Sequence, residues 1–133
     1  MRLLISLILC YGLIIGSVFG KTDYVKSMID HPIQSKERYE LMKQYAYDHY
    51  GLDHANLIYP KIIVIHYTAM ATIEQSMRAF ESSKIPGHRD KIASFGDVNV
   101  GTHFLVDKDG TIYSLLPTTL MARHVIGFNH TAI

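Results

Sequence analysis

Histidine is the residue type with the most chemistry to offer in this sequence. There are 8 among 133 residues. His66 ends the run Ile62-Ile63-Val64-Ile65-His66-Tyr67-Thr68. His103 stands beside Thr102, His124 follows Met121-Ala122-Arg123, and His130 sits in Asn129-His130-Thr131. An imidazole exchanges protons near neutrality and binds divalent metals through one ring nitrogen. Four consecutive β-branched residues lead into His66. It is either the wet end of a capped strand or a ligand carried on a rigid arm, the kind of support a metal site needs. His103 neighbours a strand and reads as a structural histidine. His31, His49, His54 and His88 fall in polar surroundings and read as solvated surface.

The elements that must position these groups follow from local pattern. Ser35 to Tyr50 reads as a helix, with Ser35 as N-cap, Glu37 in the first turn and Gly51 as the stop. Tyr39, Met42, Ala46 and Tyr50 form its apolar stripe. Pro60 introduces Lys61 to Tyr67, which reads as a central strand covered on both faces. Thr72 and Gln75 fit a capping box, opening a helix that buries Ile73, Met77 and Phe80. Lys84 to Val98 is a long polar loop of the kind that often carries function. The apolar runs around Asp109-Gly110 predict a hairpin from Gly101 to Tyr113.

Composition narrows the class. Met1 to Gly20 has one basic residue, Arg2, and then an apolar run ending in Ser17-Val18-Phe19-Gly20, the pattern of a secretory signal. An uncleaved anchor is the alternative, since Leu3 to Phe19 approaches a spanning length. Residues 21–34 read as an irregular leader containing Pro32. Without Arg2, the remaining 12 basic residues balance the 12 acidic ones. That balance gives no reason to expect a nucleic-acid partner. Cys10 is the only cysteine and lies in the signal, so the remaining domain holds no disulfide. Its stability must come from its core or a bound metal.

Three motifs in this order, IVIHYTA (Ile62 to Ala69), HFLVDKDGTIY (His103 to Tyr113) and MARHVIGFNHTAI (Met121 to Ile133), resemble the type 2 N-acetylmuramoyl-L-alanine amidases. That family shares its fold with peptidoglycan recognition proteins. The resemblance covers roughly Tyr39 to Ile133. It implies an α/β fold with a central mixed β-sheet, flanking helices and a groove. It implies Zn²⁺-dependent hydrolysis of the amide between N-acetylmuramic acid and L-alanine in peptidoglycan. His66 matches the first zinc ligand. Thr102 stands where phage and animal members carry a catalytic tyrosine, His124 and His130 fall in the motif that lines the groove wall, and with Asn129 these are the expected contacts for peptidoglycan or a muropeptide. Export to the periplasm or the extracellular space is implied, with no stable membrane anchor if the signal is cleaved.

The resemblance also places the family's other two zinc ligands, a His and then an Asp or Cys, beyond Ile133. The carboxylate that assists the water in many members would lie there too, so no catalytic base is assigned. Residues 35–133 are therefore expected to be the N-terminal part of an amidase-like domain, with its sheet incomplete at the C-terminal end. Expressed alone, the chain is expected neither to retain stoichiometric zinc nor to release stem peptide. The alternatives are a non-catalytic peptidoglycan-binding module or a decayed gene product, and an unrelated small exported α/β domain.

Overall fold

A computed structural model describes residues 28–87 and 89–133. The signal segment, the leader up to residue 27 and His88 lie outside the described residues. Among the described residues, three short strands and three helices follow in the order β1 (Met28–Asp30), α1 (Lys36–Tyr50), α2 (Ile73–Glu81), α3 (Asp90–Ala93), β2 (Phe104–Val106) and β3 (Ile112–Ser114). The strands form one mixed sheet, β1-β3-β2. β1 runs parallel to β3, and β2 pairs antiparallel to it with Leu105 opposite Tyr113. The chain is thus an α/β mix, as the motif order implies. No helix among the described residues is long and apolar enough to cross a membrane.

α1 forms where its caps predict. The Ser35 hydroxyl accepts from the Arg38 N–H at 3.0 Å. At the other end Gly51 takes φ +69°, a left-handed conformation that glycine adopts without a Cβ clash. The N–H groups of Gly51 and Leu52 then close the Tyr47 and Ala46 carbonyls. The helix buries Arg38, Met42, Tyr45 and Ala46, while Tyr39 and Tyr50 pack at the rim of the same cluster. α2 begins at Thr72, whose hydroxyl accepts from the Gln75 N–H. Ile73, Met77 and Phe80 pack partly buried against Ile33, Leu105, Leu115 and Leu116. The hairpin forms around Asp109-Gly110 with a longer connection than a two-residue turn, closed by Asp107 N–H to the Thr111 carbonyl.

Three expectations change. Met28–Asp30, inside the stretch read as irregular, forms a strand because β3 offers it a parallel edge. The long loop contains the short helix α3, and its ends are joined by a bridge from Lys84 to Val98. The segment from Lys61 to Tyr67 is not a central strand with two covered faces. Among the described residues its backbone pairs along one edge only, with Thr131 to Ile133, and Ile63, Ile65 and Tyr67 are 78%, 92% and 87% exposed. β-branching suits extended backbone, but burial needs other elements, and among the described residues none covers these side chains.

One buried cation organises the first half of the fold. Arg38 is only 3% exposed. Its guanidinium donates to the carbonyls of Ile33, Phe80 and Ser82, tying the approach to α1 onto the end of α2. Burial lowers its pKa, and among the described residues its hydrogen-bond partners are neutral carbonyl dipoles. Arg38→Met should cost about 3 kcal/mol, because three carbonyls lose a charged donor. Ser35→Ala should cost about 1 kcal/mol. Urea denaturation midpoints of the two variants should rank in that order.

Candidate metal and substrate site

The extended segment from Lys61 delivers His66 to solvent, and the motif around Arg123 delivers His124 to meet it. His66 Nε2 and His124 Nδ1 stand 3.2 Å apart, with their rings nearly perpendicular. His124 Nε2 lies 3.3 Å from the Ala132 carbonyl. A carbonyl can only accept, so Nε2 carries the proton and Nδ1 of the neutral ring presents a lone pair to His66. Burial is the main reason that the His124 pKa is lowered; His103 and His66 add to it, and the Ala132 bond opposes it.

His103 stands behind this pair, its ring 5.9 Å from that of His124. It is 1% exposed and its Nε2 donates to the Leu120 carbonyl at 2.8 Å. Its Nδ1 is buried without a hydrogen-bond partner. The structural reading of His103 therefore accounts for one ring nitrogen and leaves the other as an uncompensated acceptor. Burial lowers its pKa, partly opposed by the Leu120 bond.

The remaining groove residues separate. Asn129 is buried, and its Oδ1 accepts from the N–H groups of both His124 and Val125 at 2.8 Å. Its Nδ2 reaches the Tyr45 hydroxyl at 3.4 Å. Its amide is thus used in shaping the turn that carries His124. Thr102 donates to the Phe104 carbonyl. His130 turns away from the histidine pair, with its ring 4.5 Å from Tyr50 and its Nδ1 buried without a partner. His49 is exposed and meets the Phe95 carbonyl at 2.8 Å.

Arg123 is the site residue that sequence reading passed over. It is 7% exposed and donates to the carbonyls of Ile92, Gly96 and Val98. Its guanidinium also lies 5.0 Å from the centre of the Tyr45 ring, a cation–π distance. It thereby binds the 84–98 loop to the residue beside His124. Its place next to a motif histidine was the available signal. Between α1, this loop and the His124 turn lies a cleft of about 430 Å³, with Tyr45, Ile92, Phe95, Val125, Ile126 and His124 among its walls.

The donor chemistry suits zinc in kind. The two imidazole nitrogens nearest one another, His66 Nε2 and His124 Nδ1, face each other across a hydrogen bond. No group of three or more His, Cys, Asp or Glu side chains that could hold a metal occurs among the described residues. A family model described as N-acetylmuramoyl-L-alanine amidase matches residues 55–133. No curated protein and no solved structure matches the chain.

The buried His103 ring sets a pH dependence. The unfolded chain takes up a proton near pH 6.5, whereas the folded chain resists it until lower pH. Stability is therefore fully present above about pH 6.5 and is lost as pH falls towards the folded pKa of His103. In chelator, His103→Gln should flatten the fall in urea midpoint between about pH 7.5 and 5. An unchanged slope would show that the proton uptake belongs elsewhere.

Proposed function

The chain belongs to the N-acetylmuramoyl-L-alanine amidase family, and on that footing we propose that it hydrolyses the amide joining N-acetylmuramic acid to the L-alanine of a peptidoglycan stem, with His66 as a zinc ligand. The observation that carries this reading is the family match across residues 55–133, which contains all three motifs and the His66–His124 pair they bring together. When bound, zinc supplies a more acidic water and a polarised scissile carbonyl.

The chain's own residues account for positioning. His66 stands at the solvent edge, where a polymeric substrate can reach it. Asn129 fixes the backbone of the turn that carries His124 and so fixes its ring. Arg123 holds the loop that supplies Ile92 and Phe95 to the cleft. In this reading the stem peptide lies along that cleft, with its apolar side chains on Phe95 and Ile126. Lys91, an exposed cation on the same wall, faces the peptide's carboxylates. Thr102 and His130 enter as contacts further along the groove. Peptidoglycan lies outside the cytoplasmic membrane, so the reading carries export directed by residues 1–20.

A second reading, a module that binds peptidoglycan without turnover, is favoured by the donor set. Catalytic zinc sites use three protein ligands, and no group of three or more metal-capable side chains occurs among the described residues. The two readings separate in one experiment. The full chain is supplied with zinc and purified sacculi, and released peptides are labelled at new N-terminal alanine. Release that falls about 100-fold or more in His66→Ala supports the amidase. Retention on the sacculi without release supports the module and overturns hydrolysis.

The cleft makes a further prediction. Phe95 is 57% exposed, so Phe95→Ala should leave the fold intact. It should weaken muropeptide binding by about tenfold, the loss expected when a large apolar contact is removed. Calorimetric titration with a soluble muropeptide measures it, and unchanged affinity would place the peptide outside this cleft.

A further inference from the structure

Along an extended segment each residue turns its N–H and C=O to the side opposite that of its neighbours. In the arm that leads to His66, the Val64 N–H donates to the Ile133 carbonyl, and the Ile62 carbonyl accepts from the Ile133 N–H. Ile63 and Ile65 therefore turn their backbone groups to the other side. Among the described residues, neither has a backbone hydrogen-bond partner there. Side chains alternate too. Ile63, Ile65 and Tyr67 share one face and stand largely in water, whereas Val64, on the opposite face, is half-buried. The arm thus combines an unpaired edge with a bare apolar face on the same few residues.

We propose that this edge pairs with the same edge of a second copy of the chain, antiparallel about a two-fold axis at Val64, to form a homodimer. The symmetry of the sequence selects the occupant. Ile63-Val64-Ile65 reads alike in both directions. An antiparallel copy therefore sets Ile63 opposite the partner's Ile65, and Val64 opposite the partner's Val64. Ile63 and Ile65 are the residues whose N–H and C=O face this edge, so both of their pairs exchange two backbone bonds, and Val64 forms the non-hydrogen-bonded pair between them. Further out, Lys61 stands opposite the partner's Tyr67, a cation beside an exposed aromatic ring. No other Lys, Arg, Asp or Glu lies between Lys61 and Tyr67, so like charges do not meet. A parallel copy in register would set Lys61 beside the partner's Lys61, which is unfavourable.

The interface is isologous, so each contact is made twice. Its axis is normal to the paired segments. The apolar residues of both copies then lie on one face, and both His66 rings lie on the other, where they stay open to solvent. A ladder this short makes a small interface, so the dimer should be reversible and of micromolar strength. Nothing in the pairing depends on the amidase reading.

The test measures the mass of the full chain by analytical ultracentrifugation across roughly 1–100 µM, a range that brackets a micromolar dissociation constant. The expected result is a shift from monomer to dimer. Ile65→Lys should weaken the dimer about tenfold or more, because both Ile–Ile pairs are lost and a charge enters the edge. Val64→Cys, in a Cys10→Ser background, should give a disulfide-linked dimer on mild oxidation. The Cα atoms of a non-hydrogen-bonded antiparallel pair lie about 4.5 Å apart, within disulfide reach. Ile62→Cys in the same background should not link, because it stands opposite the partner's His66. Circular dichroism checks that each variant is folded. A parent that stays monomeric throughout overturns the proposal. So does a folded Ile65→Lys chain that dimerises like the parent, which would place the association elsewhere, such as in residues 1–27. Linkage through Ile62→Cys as ready as through Val64→Cys overturns the register and the proposal with it.

Discussion

The parallel pairing of Lys61–Val64 with Thr131–Ile133 is the constraint on which the site depends. Neither segment is long enough to count as a regular strand, and the apolar side chains on the first are largely in water. What the pairing supplies is register. Backbone bonds alternate along the two segments, so a slip by one residue would turn His66 away from its partner. The Ala132 carbonyl, within the same pairing, sets which nitrogen of His124 carries the proton. A few backbone hydrogen bonds thus align two side chains and select a tautomer.

Two buried guanidinium groups hold the surrounding scaffold. Arg38 joins α1 to the end of α2, and Arg123 joins the 84–98 loop to the turn bearing His124. Both work through carbonyl oxygens. That suits arginine, whose charge persists under desolvation and whose five donors fan out in a plane. Tyr45 links the two regions: it belongs to the buried face of α1, lies under Arg123 and receives the Asn129 amide. Burial on the helix is in this way coupled to the geometry of the turn.

Where side chains act on their own backbone, the sequence was legible. Ser35 and Thr72 cap the helices they precede, Gly51 stops α1, and Asp109-Gly110 turns a hairpin. β1 was illegible because nothing in Met28-Ile29-Asp30 signals a strand until β3 offers an edge. The burial of Lys61 to Tyr67 was misread for a related reason. β-branched residues report a preference for extended backbone, not whether another layer exists to cover them.

By itself, the sequence determined the helix limits, the hairpin, the order of three motifs and the family they mark. Through the family resemblance it offered His66 as a candidate metal ligand and His124, Asn129, Thr102 and His130 as candidate groove residues. Only the tertiary structure decided how these divide. It brought His124 to His66, committed the Asn129 amide to the chain itself, and turned His130 onto Tyr50. The physical reason is range. Caps and turns are settled by groups within a few residues of one another, whereas a nitrogen–nitrogen spacing across 58 residues depends on the register of segments that meet only in the folded chain.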